Sequence, residues 1–253
     1  MIPGTWYTLR LERIHYENDR TRIFHFCIEG PEFPHWKPGQ FFVCDLPLGE
    51  KRAQRWRSYS IANPCTEGRQ VEFCISFKEG GAASQFYFSD VREGDTIRCK
   101  GPEGNFTLPD HSGMPLTMVC TGTGIAPFRA MLSDIANRGH QYASVDLIFG
   151  VRNESEILYR KEIALWCSTI PRFRAIICLS RQHELPAPEH PGLVYHHGHV
   201  HQCYDSLLQQ MEADRSQAQF LLCGWSAMID QAVAALVTQH KVAGKNIRYE
   251  LYG

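Results

Sequence analysis

The stretch Cys120-Thr121-Gly122-Thr123-Gly124-Ile125-Ala126-Pro127-Phe128-Arg129 places two glycines between an apolar run, LTMVC, and a helical pattern. Glycines in that position let the backbone approach a pyrophosphate, and the helix N-terminus adds N–H donors and positive potential. The spacing departs from G-x-G-x-x-G, because Pro127 stands in the third glycine's place. Tight strand-to-helix packing is the plain alternative for such a turn. Arg57-Ser58-Tyr59-Ser60 lies on a strand-like run and says little alone. Gly80-Gly81-Ala82-Ala83-Ser84 leads into a short helix with a hydroxyl in its first turn, a second place suited to an anion. An arginine and a helix start in one half, with a glycine-rich turn in the other, imply two phosphate-bearing ligands.

Two kinds of sequence pattern must position these groups. From Thr5 to about Pro109 the chain offers short aromatic and β-branched runs split by Gly and Pro: WYTLRLERI, TRIFHFCIEG, GQFFVCDLP, RSYSIAN, QVEFCISFK and DTIRCKGP. Short strands at this density indicate an antiparallel β-barrel or sandwich, interrupted by one short helix over Ala83 to Val91. From Pro115 the pattern alternates. LTMVC, SVDLIFG, FRAIICLS, QFLLCG and NIRYEL read as strands, and helical patterns lie over the segment ending at Gly139 and near 155–167, 201–213 and 226–240. Five strands with four helices predict a doubly wound α/β parallel five-stranded sheet. The turn residues of PDHSGMP set the expected boundary, giving domains 1–110 and 111–253.

The 253 residues suit two such domains, and 43% hydrophobic with 21% charged residues can bury both cores. A net charge of −1, from 26 Lys+Arg against 27 Asp+Glu, argues against a general nucleic-acid binder. No apolar run reaches membrane-spanning length and the N-terminus does not read as a secretory signal, so a cytoplasmic protein is expected. Ten cysteines contain no C-x2-C pair, and most lie in apolar strand runs where a free thiol acts as a small hydrophobe.

Taken in order, these motifs resemble the ferredoxin–NADP(H) reductases and their flavin-dependent relatives. The resemblance runs through Lys37-Pro38-Gly39-Gln40-Phe41, the R-x-Y-S strand, the G-x-x-S helix start, Glu93-Gly94-Asp95 and Gly101-Pro102. It continues through T-G-T-G-I-A-P-F-R, Gly150-Val151-Arg152, Leu158-Tyr159, Ser180-Arg181, Cys223-Gly224-x-x-x-Met228 and Tyr249-Glu250-Leu251-Tyr252-Gly253. It implies an FAD-binding barrel followed by an NADP(H)-binding domain. Arg57 and Ser58 would then serve the flavin phosphate side, Tyr59 would pack on the isoalloxazine, and Ser60 would sit near N5. Gly81, Ala82, Ala83 and Ser84 would hold the FAD pyrophosphate. Thr123, Gly124, Ile125, Ala126 and Pro127 would cradle the NADP pyrophosphate, with Arg152, Gly224 and Met228 completing the nucleotide contacts. Ser180 and Arg181 would meet the 2′-phosphate, whose charge rewards an arginine; a plain surface turn is the alternative.

The resemblance also implies a catalytic set of Ser60, Cys223, Glu250 and Tyr252. The tyrosine ring would cover the flavin, Cys223 would pack beside the nicotinamide, and Ser60 with Glu250 would relay the N5 proton. Gly253 stands where some members carry an aromatic ring against the adenine, so adenine packing stays open and FMN is an alternative to FAD. Lys51, Arg52 and Arg55 form a basic run suited either to solvent or to docking an acidic ferredoxin or flavodoxin. His196-His197-Gly198-His199-Val200-His201 has no Cys or carboxylate at close ligand spacing, and no metal is expected. The activity implied is electron transfer between NADP(H) and a one-electron carrier protein. Its alternatives are the reductase component of an oxygenase system and a non-catalytic nucleotide-binding subunit.

Overall fold

The computed structural model describes residues 5–65, 68–110, 113–139, 142–210 and 218–252. Gly253 and part of the expected boundary, His111 and Ser112, lie outside these. The chain divides into two units, Met1–Leu108 with Ala126–Asp134, and Pro109–Ile125 with Ile135–Gly253.

The first unit is built on six antiparallel strands: β1 (Trp6–Asn18), β2 (Thr21–Ile28), β3 (Phe41–Asp45), β4 (Trp56–Ser60), β5 (Gln70–Ser76) and β6 (Thr96–Glu103). All six match the runs expected from sequence. Their order is β4-β3-β6-β1-β2-β5. In β2, Phe24, Phe26 and Ile28 turn into the core while His25 and Cys27 stay partly exposed, the period-2 pattern of a one-sided strand. Each such buried side chain contributes about 1.5–3 kcal/mol. The ends of the sheet are joined beyond β4. Ala62 N–H donates to the Glu72 carbonyl at 2.9 Å, and the Asn63 amide bonds both Gln70 O and Glu72 N at 2.8 Å. Those bonds satisfy edge groups that would otherwise be open. Two short helices, α1 (Arg52–Arg55) and α2 (Ala82–Gln85), decorate the barrel. α2 runs into a π-helical turn, Phe86–Asp90, which drives the fully buried Tyr87 into the core.

The second unit is a parallel sheet of β7 (Pro115–Thr121), β8 (Ser144–Val151), β9 (Phe173–Leu179), β10 (Leu193–His197), β11 (Gln219–Gly224) and β12 (Ile247–Leu251), in the order β10-β9-β8-β7-β11-β12. Its central strands are buried almost throughout, as sheets covered on both faces must be. α3 (Ile125–Arg138), α4 (Arg160–Thr169), α5 (Val200–Gln210) and α6 (Ser226–Thr238) supply the crossovers. α3 stops at Gly139, whose left-handed φ of 64° lets its N–H reach Ile135 O at 3.0 Å.

The sheet has six strands, correcting the five expected. β10 lies at the edge, where Leu193 and Tyr195 turn inward and Val194 is exposed. Its sequence, LVYHH, merges with the histidine run and carries too few apolar residues to read as a strand alone. The first unit ends at Leu108 and takes in Ala126–Asp134 of α3, whereas a break at 110/111 was expected. Within that unit Arg129 Nη1 donates to Ala62 O at 3.0 Å and to Glu72 Oε2 at 2.6 Å. Among the described residues no helix is long and apolar enough to cross a membrane.

Candidate functional site

In the first unit, β4 is the strand that carries Arg57 to Ser60, and antiparallel pairing with β3 sets Phe41 opposite Ser60 and Phe42 opposite Tyr59. Ser58 is exposed and Ser60 is buried. The Tyr59 ring packs edge-on to Tyr87 at 5.3 Å and tilts against Phe73 at 5.6 Å, so it is fixed by neighbours rather than free to swing. Burial pushes its hydroxyl pKa up, and it stays neutral at any physiological pH. Arg57 Nη1 is held by the carbonyls of Ala53 and Trp56, at 3.1 and 2.8 Å. That use of one nitrogen orients the guanidinium and leaves Nε and Nη2 to meet an anion.

At Gly81–Ser84 the expected contact set changes in one respect. The buried Ser84 hydroxyl accepts from Lys78 N at 3.0 Å and lies 3.0 and 2.9 Å from the carbonyls of Lys78 and Gly81. It fastens the Lys78–Gly81 turn to the helix start. What this segment offers a pyrophosphate is therefore the backbone N–H groups of Ala82 and Ala83 in the first turn, which have no partner within a helix.

The second unit presents the carboxyl ends of its strands. Strand order reverses between β7 and β11, and open α/β sheets bind ligands at such a switch point. There Thr121 leads into a single 3-10 turn, Gly122–Gly124, and then α3. A Cβ on Gly124 would strike the Cys223 carbonyl, and one on Gly224, at φ 149°, would strike Thr121 Oγ1. The two glycines thus keep a cradle open where side chains would fill it. Ile125, Ala126 and Pro127 form the first turn of α3, where proline's missing N–H costs nothing. Thr121 Oγ1 is buried with no hydrogen-bond partner among the described residues. In the sequence the only mark of Thr121 is its position between the strand and the glycines.

Cys223 lies opposite Glu250 in the β11–β12 register, and Tyr252 N–H donates to Gly224 O at 2.8 Å. Burial, then the Glu250 charge, pushes the Cys223 thiol pKa well up, with Tyr252 working the other way, which favours the neutral thiol. The structure therefore brings three of the four expected catalytic residues together in the second unit, while Ser60 belongs to the first. Met228 opens α6 with its N–H on Trp225 O at 3.1 Å.

Ser180 and Arg181 follow β9, held by Ser180 N to Val151 O at 3.0 Å and Arg181 N to Arg152 O at 2.9 Å. The Arg181 side chain is exposed and has no carboxylate partner among the described residues. Arg152 differs: its Nε and Nη2 bind Glu156 at 3.0 and 2.7 Å. The basic run is also partly engaged. Arg55 makes a bidentate pair with Asp45 at 2.7 and 2.8 Å, and Arg52 lies over the Trp56 ring at 4.2 Å. Asp45 ends β3 beside α1, a proximity that the ten-residue separation does not announce.

These features fit the two groups they were expected to hold, and comparison with known proteins agrees. The family described as the oxidoreductase FAD-binding domain matches residues 8–108, and the oxidoreductase NAD-binding domain matches residues 118–234. Reductase component 1 of terephthalate 1,2-dioxygenase from Comamonas sp is 33% identical over 171 residues, 66% of this chain and 49% of that protein. Ferredoxin–NADP reductase B from Sorangium cellulosum is 37% identical over 139 residues, 55% of this chain and 54% of that one. The chain spans about half the length of these curated relatives. A ferredoxin NADP+ reductase from Neisseria gonorrhoeae, solved with bound FAD and NADP, superposes with a TM-score of 0.75 at 22% identity, covering 99% of both chains. With an antiparallel FAD-binding unit, a parallel NAD-binding unit and these matches, the chain belongs to the ferredoxin–NADP(H)-reductase-like family of flavin-dependent oxidoreductases.

Proposed function

We propose that this chain takes electrons as a hydride from NADPH and passes them singly to a carrier protein, a ferredoxin or a flavodoxin. The observations that support the reading are, in the first unit, the braced Arg57 guanidinium and the unpartnered first-turn N–H groups of Ala82 and Ala83, and, in the second, the Thr121–Gly124 turn packed against Gly224. FAD, when bound, supplies the step from two-electron to one-electron chemistry at its N5 position.

In this reading the chain's own residues bind, orient and handle one proton. Arg57 and the first turn of α2 neutralise the flavin's phosphates, and the immobilised Tyr59 gives the flavin ring a flat, preorganised wall. Thr123 to Pro127 hold the nucleotide pyrophosphate, and Arg181 prefers the 2′-phosphate through a charge-assisted contact. The neutral Cys223 thiol shapes the nicotinamide position without chemistry of its own. Ser60 serves the N5 proton, which must leave to solvent as the two electrons depart singly. Glu250 is the carboxylate the second unit offers for proton transfer, and the Tyr252 ring competes with nicotinamide for its place. Replacing Tyr252 with Ser is then expected to tighten binding of both NADP⁺ and NAD⁺.

A second reading, the reductase component of an oxygenase system, is favoured by the terephthalate dioxygenase component among the relatives, a protein about twice the length of the aligned region. Reduction rates with a ferredoxin, a flavodoxin and an artificial dye, each at two salt concentrations, separate the two. Fast, salt-sensitive reduction of the carrier supports the proposal, with Lys51 and Arg52 as the steering charges. Dye reduction alone, with both carriers inert, favours the second.

A further inference from the structure

Three residues with no part in that reaction meet beneath α5. Cys178 on β9 is paired with His196 on β10, and parallel neighbours at one level project from the same face of the sheet. α5 packs across that face, against β8 and β9, and its Cys203 reaches the same point. The Cys178 and Cys203 sulfurs are 3.0 Å apart, and both sulfurs and a His196 ring nitrogen lie within 4.8 Å of one another. Both cysteines are buried. His196 is itself partly exposed, but its Nδ1 atom is shielded from solvent and has no hydrogen-bond partner among the described residues. Leaving such a nitrogen unsatisfied is unfavourable, and a group that accepts its lone pair removes that cost. The rest of the histidine run is occupied elsewhere: His197 lies tilted against His183 at 4.5 Å, and His199 stacks on His201 at 5.8 Å.

We propose that Cys178, His196 and Cys203 form a binding site for one zinc ion. Two sulfurs and an imidazole are a donor set that zinc takes readily, with bonds of about 2.3 Å to sulfur and about 2.0 Å to nitrogen. At tetrahedral angles those lengths separate the ligand atoms by about 3.5–3.8 Å, so the two sulfurs need only part by less than about 1 Å. Loading exchanges two thiol protons, released to solvent, for one divalent cation. The loaded site is neutral, and it can therefore stay buried without an unpaired charge. Three protein ligands leave a fourth position for water or an added ligand. The ion would tie β9, β10 and α5 together immediately before the Ser180–Arg181 turn, stabilising the folded state by mass action.

The sequence concealed this site because its ligands are 18 and 7 residues apart and only parallel pairing plus a crossover helix unites them. The test uses the full-length, flavin-loaded protein, reduced and stripped of metal with a chelator. Cobalt(II), a coloured stand-in for zinc, is titrated in and read at wavelengths beyond the flavin's absorption. One equivalent giving intense tetrahedral cobalt bands, bleached stoichiometrically by zinc, is the expected result. Cys203→Ser and His196→Ala should each weaken uptake on the order of a hundredfold. Because His196 lies on the edge strand, its variant keeps the test alive if the cysteine variant does not fold. Cys65→Ala removes a cysteine 3.6 Å from His35 Nδ1 and should change nothing. Absence of a stoichiometric tetrahedral signal would overturn the site, as would a signal that survives His196→Ala. A Cys178–Cys203 disulfide persisting in the reduced protein would overturn it equally.

Discussion

The two proposed anion cradles are built by opposite means. In the barrel unit, side chains do the positioning: Ser84 pins the Lys78–Gly81 turn, Arg57 is braced on Ala53 and Trp56, and Arg129 bonds Glu72. In the parallel-sheet unit the positioning comes from missing side chains, since Gly124 and Gly224 keep the backbone of β11 and the β7–α3 turn in contact. A cradle of the first kind should fail by degrees as individual bonds are lost. One of the second kind should fail abruptly when a methyl group is added.

The largest expected effect lies in the barrel unit. Arg129 and Glu72 have side chains only 16% and 14% exposed, so removing one partner leaves a mostly buried charge. Arg129→Met should cost about 3 kcal/mol in urea unfolding. Burial works to raise the Glu72 carboxyl, but the His25 hydrogen bond and the Arg129 charge outweigh it and hold its pKa below the usual value. Its stabilisation is therefore present above the unfolded carboxylate pKa and is lost as pH falls through the lower folded one. Glu72→Gln should flatten that part of the acid-unfolding curve.

Gly124→Ala comes next and sharpens the contrast. Its Cβ meets backbone that cannot swing aside, for an expected loss of about 1–3 kcal/mol in stability. Nucleotide affinity should fall with it while flavin content is retained, read by NADP⁺ titration of the flavin spectrum. If flavin is lost instead, the two cradles are not independent. Arg181→Ala should lower the NADPH/NADH ratio of kcat/KM by about ten- to a hundredfold, equivalent to roughly 1.5–3 kcal/mol. An unchanged ratio would remove the 2′-phosphate from that turn. The smallest effect belongs to Ser84→Ala, which should cost about 1 kcal/mol in thermal unfolding and weaken flavin retention only slightly.

The same contrast explains what could be read from sequence. Local patterns carried both halves: the aromatic and β-branched run TRIFHFCIEG marked a barrel strand, and the glycines after LTMVC marked the turn into α3. Long-range pairing was beyond such patterns. Cys223 meets Glu250 only because β12 returns beside β11 after α6, and without the resemblance nothing in the chain joins them. Ser84 was expected to face a ligand, because a hydroxyl in a first turn has the same sequence whether it binds a phosphate or its own loop. β10 was missed because edge strands need few apolar residues. The basic run suggested solvent or a docking partner for Arg55, and its pairing with Asp45 was not legible because Asp45 approaches it through strand pairing and a short helix, not through sequence spacing.

The central claim is that one flavin-loaded chain is reduced directly by NADPH. Anaerobic mixing of the purified protein with stoichiometric NADPH, with the cofactor released and weighed in parallel, tests it most directly. One non-covalent FAD per chain and rapid loss of the yellow colour, faster with NADPH than with NADH, are the expected results. A protein that releases FMN or binds no flavin on reconstitution would contradict it, as would one whose bound flavin stays oxidised.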